Sequence, residues 1–295
     1  MDPAHRHRVP GGAPRTRLDR YAASVFDALA SIKQATKLAK RGGVRVNGEP
    51  AESSRFVQPG DVIELVEAAL PRPRVYERAL AVVFEDDDHA VIVKPPGLRT
   101  SGNAHRTAEH ALAHNLAPSP AADALAWPRP VHRLDARTGG LLLAAKTATA
   151  AVSLGRQFER REVHKTYRAL AVGRLEGEGE VDVPVDGRDA HTTYRALEHT
   201  RSLHSGWLTT VELHPATGRT HQLRRHLAHL GHPVLGDGRY GLEGQILRGA
   251  GLFLWALQVC WQDPRTGEGR RAAIEEPPKF AATRRREQRR WERRR

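Results

Sequence analysis

Three segments of the chain hold residue types whose spacing suits chemistry. The first is Pro130-Val131-His132-Arg133-Leu134-Asp135-Ala136-Arg137-Thr138-Gly139-Gly140, which sets one carboxylate between two arginines ahead of a Gly pair and the apolar run Leu141–Ala145. A carboxylate in that setting can attack an electrophile or take a proton. The plainer reading is an Asp that closes a turn before a buried strand. The second segment, TGRTHQLRRHLAHLGHP at 217–233, predicts a helix with Leu223, Leu227 and Leu230 as its apolar stripe. His221, Arg224 and Ala228 share a neighbouring face, and Gly231 and Pro233 supply the stop. His226, His229 and His232 invite a metal reading, but the last lies past the stop and no carboxylate completes a ligand set. A basic hydrogen-bonding face for phosphate or a carboxylate is expected instead. The third segment is HKTYRAL at 164–170, a strand on which Lys165 and Tyr167 point the same way. A ring beside cations can stack on a base and grip its phosphate, although a Tyr on a strand is otherwise ordinary core.

Apolar segments must carry these groups. AVVF at 81–84, AVIVK at 90–94, LLLAAK at 141–146, a helix around 148–160 and strands near 167–172 and 253–261 follow one another. In the last strand, Trp255, Leu257, Val259 and Trp261 alternate with Ala256, Gln258, Cys260 and Gln262, which predicts one buried face. Strands outnumber helices without regular βαβ alternation, so the expected class is α+β with a mixed, largely antiparallel central sheet. Ahead of it, SIKQATKLAKRGG sets Ile32, Ala35, Leu38 and Ala39 on one helical face and Lys33, Lys37, Lys40 and Arg41 on the other. VRV at 44–46, an Asn47-Gly48 turn, Arg55-Phe56-Val57, a Pro59-Gly60 turn and VIEL at 62–65 complete a small α+β module. The expected division is a disordered arm at 1–14, the module at 15–67, a linker at 68–80, the large domain at 81–283 and a disordered basic tail at 284–295. That tail carries eight Arg in twelve residues, whose mutual repulsion opposes folding.

The chain has 295 residues with 39% hydrophobic and 27% charged, enough apolar mass for a sizeable core. The lack of a long apolar run excludes a membrane-spanning helix, and the polar start lacks the apolar stretch of a secretory signal. The single Cys260 excludes an internal disulfide framework and fits a reducing compartment such as the cytoplasm. A net charge of +13 favours a polyanionic partner.

Taken in order, the segments resemble the RluA family of RNA pseudouridine synthases. HRLDARTGGLLLAAKT is similar to that family's HRLDxxTSGLLL motif, HKTYRALAVG to its tyrosine strand, and TGRTHQLRRHLAHLGHPVLGDGRYG to its third motif with the trailing LGDxxYG. VIVKPPGL and DPRTGE also fit, and residues 15–67 resemble an S4 RNA-binding domain. The resemblance implies that Asp135 is the catalytic carboxylate, Tyr167 the ring against the target base, and Arg224 the ion-pair partner of Asp135. It implies RNA contacts for Arg133, with Arg219 and His221 beside it and Lys33, Lys37, Lys40 and Arg41 on the S4-like helix. Cleavage, rotation and rejoining of a base need no cofactor and no metal, and either attack at C1′ or removal of the C2′ proton suits a carboxylate. RNA is the implied partner, rRNA more than tRNA, for a monomeric enzyme. Two departures stand out: Gly139 replaces the family's Ser, and RTSGN at 99–103 replaces its usual segment. Both are expected to leave the catalytic positions untouched. The competing readings are a non-catalytic RNA-binding or ribosome-assembly protein, opposed by the intact trio, and a His-metal hydrolase, separable by metal analysis.

Overall fold

The computed structural model describes residues 6–26, 29, 31–66, 75–102, 104–242 and 251–294. It divides into two compact units, residues 1–74 and 75–295.

In the first unit, β1 (Arg6–Arg8), α1 (Leu18–Val25), α2 (Ile32–Ala39), β2 (Val44–Val46), β3 (Glu49–Pro50) and β4 (Val62–Leu65) follow in order. The four strands form an antiparallel sheet ordered β1-β4-β2-β3. Asn47 and Gly48 both have positive φ, 55° and 88°, as a two-residue hairpin turn requires. Ser31 caps α2 by accepting the Gln34 N–H. Ala35, Leu38 and Ala39 are buried against Leu18, Val46 and Ile63.

Three expectations for this unit are corrected. Ile32 is 48% exposed, because the first turn, opened by the exposed Ser31, lies at the rim of a small core. The expected disordered arm is ordered from Arg6: its strand pairs with Val62–Glu64, and Val9 buries its side chain while its N–H donates to the Asp61 carbonyl. An open strand edge supplies the backbone partners that composition does not reveal. Arg55-Phe56-Val57 forms only a single bridge, Arg17 to Phe56, rather than a strand.

The second unit contains β5 (Ala81–Glu85), β6 (His89–Lys94), α3 (Ala108–Asn115), β7 (Ala124–Pro130), β8 (Gly139–Thr147), α4 (Ala148–Glu159) and β9 (His164–Val172). β10 (Glu178–Val181), β11 (Thr192–Ser202), β12 (Gly206–Pro215), α5 (Gln222–His229), β13 (Leu254–Gln262), β14 (Gly269–Ala273) and α6 (Pro278–Glu292) complete it. The sheet runs β10-β11-β12-β9-β13-β8-β6-β5, with β14 on β13 and β7 on β8. Among the described residues one pairing is parallel, β13 with β8. This is the expected mixed, largely antiparallel α+β class. Every residue of β8 is buried, since Leu142 and Ala144 enter one core while Leu141 and Leu143 enter another against Leu154 of α4.

Three corrections apply here too. β13 does not keep one buried face: Leu254 and Ala256 are buried, then Val259 and Trp261, with a register shift between Ala256 and Gln258. A bulge inserts one residue and inverts the alternation beyond it. Residues 75–80 of the expected linker belong to this unit, through Tyr76 N–H to the His110 carbonyl and Leu80 N–H to Asn115 Oδ1; residues 68–74 lie outside the described residues. The expected disordered tail is largely the helix α6. Pro278 opens it, Phe280 anchors it in the core, and buried Glu287 answers Arg286 and Arg290 at 3.5 and 3.4 Å. Packing and internal ion pairs therefore offset the arginine repulsion.

Candidate active site

Asp135 lies in the loop between β7 and β8, and that loop is held from three sides. Thr100 Oγ1 accepts the Leu134 N–H at 3.0 Å and donates to the Leu134 carbonyl at 2.8 Å. Lys94, fully buried at the end of β6, donates to the carbonyls of Leu98, Pro95 and Ala136 at 2.6, 3.1 and 3.4 Å. Burial brings the Lys94 ammonium down to about 8 and the nearby Asp135 opposes that shift. Arg137 donates to the Gly236 carbonyl at 3.1 Å, tying the loop to the one that follows α5.

The guanidinium of Arg224 rises from α5 and is nearly all buried. Its Nε and Nη2 donate to Asp237 at 2.7 and 2.8 Å, a bidentate fork, while Nη1 stands 3.5 Å from Asp135 Oδ2. The close ion pair expected between Arg224 and Asp135 is thus a secondary contact, and Asp237 is the principal partner. Asp237 also accepts the N–H groups of Arg239 and Tyr240. Burial works against both charges, and the fork outweighs it, lowering Asp237 and raising Arg224.

His221 caps α5 in the left-handed conformation at φ 58°, a strained state for a residue with a side chain. That turn sends Nε2 to 3.8 Å from Asp135 Oδ2, with Nδ1 3.0 Å from the Tyr240 hydroxyl. Burial holds the imidazole below its ordinary range, with Asp135 opposing. Tyr167 projects from β9 and is buried; burial first, then the Asp135 charge, keeps its phenol protonated well above the ordinary range. Burial also brings Lys165, on the same strand face, down to about 8.

Asp135, Lys165, Tyr167, His221 and Arg224 line one cleft of about 440 Å³ that also holds Arg133 and Arg219. Arg133 is exposed, whereas Arg219 already donates from Nε to the Asp189 carbonyl at 3.0 Å. The trio and three of the expected RNA-contacting residues, Arg133, Arg219 and His221, therefore converge. Lys33, Lys37, Lys40 and Arg41 are all exposed on the first unit. Two of the three histidines that suggested a metal are used elsewhere: His226 bonds Thr192 Oγ1 and the Val183 carbonyl, and His232 the Val172 carbonyl.

Sequence reasoning missed Asp237, Lys94 and Thr100. The signal for the first two was present in LGDGRYG and VIVKPPGL, quoted as motif matches without a role. Thr100 sits in the divergent RTSGN, expected to leave the catalytic positions alone, yet it holds the residue beside Asp135. Gly139 likewise touches the site's frame: a Cβ there would lie 2.1 Å from the Trp255 ring.

The second unit matches the model of RNA pseudouridylate synthases over residues 88–229, a span that includes Asp135, Tyr167 and Arg224, and residues 17–63 match the S4 domain. The chain is 35% identical to the ribosomal large subunit pseudouridine synthase D of Vibrio cholerae, covering 85% of each chain. It is 32% identical to an uncharacterized RNA pseudouridine synthase of Aquifex aeolicus, over 90% of this chain and 91% of that one. Among solved structures, human RNA pseudouridylate synthase domain containing 1 superposes with a TM-score of 0.56 at 28% identity, over 68% of this chain and 84% of that one. With these similarities spanning both units, the protein belongs to the RNA pseudouridylate synthase family and converts uridine to pseudouridine in RNA.

Proposed function

We propose that Asp135 is the catalytic carboxylate, that Tyr167 stacks on the target uracil, and that Arg224 positions Asp135 while Asp237 aims Arg224. The observation that carries this reading is the chain of contacts Asp237–Arg224–Asp135 at the wall of the cleft, 2.7 and 3.5 Å apart, with Tyr167 on the same cleft. The uridine must leave its stack, at a cost of a few kcal/mol, and a ring such as Tyr167 returns about 1–3 kcal/mol by stacking. The carboxylate opens the reaction at the ribose, by attack on C1′ or removal of the C2′ proton. The N1–C1′ bond breaks, the uracil turns within the cleft, C5 bonds to C1′ as the carboxylate–C1′ bond breaks or the C2′ proton returns, and C5 loses its proton while N1 gains one. Substrate and product are isomers, so no external reactant enters. Arg133 at the exposed mouth and the Lys33, Lys37, Lys40 and Arg41 face grip phosphates.

The large-subunit rRNA is the proposed target, supported by the similarity to the ribosomal large subunit pseudouridine synthase D of Vibrio cholerae and by the S4 match. We propose a cytoplasmic, monomeric enzyme; among the described residues no helix is long and apolar enough to cross a membrane. Asp135→Asn keeps shape and removes the proton-accepting charge. It is expected to abolish pseudouridine formation in rRNA while RNA affinity stays within several-fold. Turnover near wild type would overturn the assignment.

A further inference from the structure

We propose that α6 is a second RNA-docking surface, a preformed arginine edge that grips the phosphates of a duplex region away from the cleft. Arg285, Arg289, Arg293 and Arg294 are exposed and have no acidic partner among the described residues. The acidic groups on and around the helix are already used: Glu287 answers Arg286 and Arg290, Glu292 accepts from Gln288, and Glu276 and Glu198 hold Arg284. Arg285, Arg289 and Arg293 recur every fourth residue, so they form one edge about 12 Å long at 1.5 Å per residue. Such an edge keeps its charge for a partner outside the chain, and the partner this enzyme family handles is RNA.

The helix is anchored rather than floating. Arg201 at the end of β11 lies over the Trp207 ring at 3.6 Å and over the Trp291 ring at 5.0 Å, and Arg174 covers Trp207 at 4.9 Å. Ser202 donates to Glu287 at 2.9 Å, and the Arg201 N–H to Gln288 at 3.3 Å. The last turns of α6 are thereby fastened to the β11–β12 hairpin. A cation layered between two indoles resists the fraying that a lone arginine helix would suffer. The chain entropy of ordering the arginines of α6 is then met on folding instead of on binding.

The placement makes this a separate site. Trp207 is the second residue of β12 and Pro215 ends it beside the cleft, a separation of about 26 Å at 3.3 Å per residue. A structured RNA touching both must extend well beyond the target nucleotide. The inference rests on RNA being the substrate, and the test keeps the two apart. Arg285, Arg289, Arg293 and Arg294 are all changed to Gln, and in a companion variant all to Lys. Affinity for a labelled RNA hairpin with a stem of about 20 base pairs is then followed against salt. Each lost phosphate contact on a duplex reduces the log–log slope by about 0.9, so the Gln variant should flatten it by roughly two to four units. The Lys variant should keep the wild-type slope, and turnover of both at saturating RNA should remain near wild type. A helical signal retained in circular dichroism by the Gln variant, together with an unchanged slope, overturns the proposal. So does loss of binding to poly-glutamate or to anionic lipid vesicles with the RNA slope intact, which would assign the edge to an acidic protein or a membrane. The slope is a binding measurement, so a failure of the cleft reading, seen as no pseudouridine formed by the unaltered chain, is recognised independently.

Discussion

At the scale of single residues, Arg224 is held by Asp237 and only touched by Asp135, and this reorders what mutations should do. Arg224→Lys cannot reproduce a fork, so kcat should fall at least tenfold with KM little changed. Asp237→Asn should approach the same loss, and the double variant should be no worse than Arg224→Lys alone, because both act through one contact. Additive losses in that cycle would refute the relay. Thr100→Ala removes both clasps on Leu134 and should lower kcat without weakening RNA binding, whereas Thr100→Ser restores a hydroxyl and should recover most of it. Equal defects in the two variants would make Thr100 a packing residue only. Lys165 offers a pH test. Burial brings its ammonium down to about 8, so its positive charge is present below that pH and is lost above it. RNA affinity should therefore weaken as pH rises through about 8, and Lys165→Met should remove that leg of the profile. For folding the sign is opposite: the unfolded chain keeps the proton from about 8 up to the ordinary 10.5, so this group's contribution to stability grows across that window.

At the scale of elements, the sequence was readable wherever local chemistry decides. The Asn47-Gly48 turn, the β8 run and the stop of α5 at Gly231 stand where composition and periodicity set them. Long-range partners decided the rest. The β13 bulge changes which residues are buried, and no window of nine residues contains the opposing strand that imposes it. Arg6–Arg8 became a strand because of β4, and the arginine tail became a helix because of β11 and Glu287. The Gly139 departure has the same origin. Its missing side chain makes room for the Trp255 ring across the parallel pair, so Gly139→Ser should destabilise the fold and lower the melting temperature by several degrees. Pairing it with Trp255→Leu should restore much of that loss, and a double variant as unstable as Gly139→Ser alone would dissolve the exchange. On the first unit, replacing Lys33, Lys37, Lys40 and Arg41 with Gln should flatten the salt slope of RNA binding by roughly two to four units. Gln preserves helix propensity, so the fold should survive. An unchanged slope would make them a solvated helix face.

At the scale of the whole molecule, two exposed cationic helix faces lie on two different units. If each grips its own phosphates, their effects on the salt slope should sum when the α6 and α2 variants are combined. A combined slope equal to either alone would mean that the two faces compete for the same RNA segment. The three candidate residues that meet in the cleft, Asp135, Tyr167 and Arg224, were legible in advance, because they sit in long motifs with distinctive residue order. Its supporting frame was not, because Lys94, Thr100 and Asp237 act through distances in space that spacing along the chain does not encode.

The place of β13 in the sheet has a consequence for synthesis on the ribosome. It lies between β8 and β9, yet it is made long after both. Before it emerges, the strands made so far have no strand to join them: β5, β6, β7 and β8 on one side, with the Asp135 loop, and β9 to β12 on the other, with Tyr167 and α5. Long-range parallel pairing is slow to form because the intervening loop must close first. A nascent chain stopped short of residue 254 would hold Asp135, Tyr167 and Arg224 and no continuous sheet to align them. Alignment of the two halves of the cleft therefore waits for β13, and a chain truncated before Leu254 is expected to form no pseudouridine.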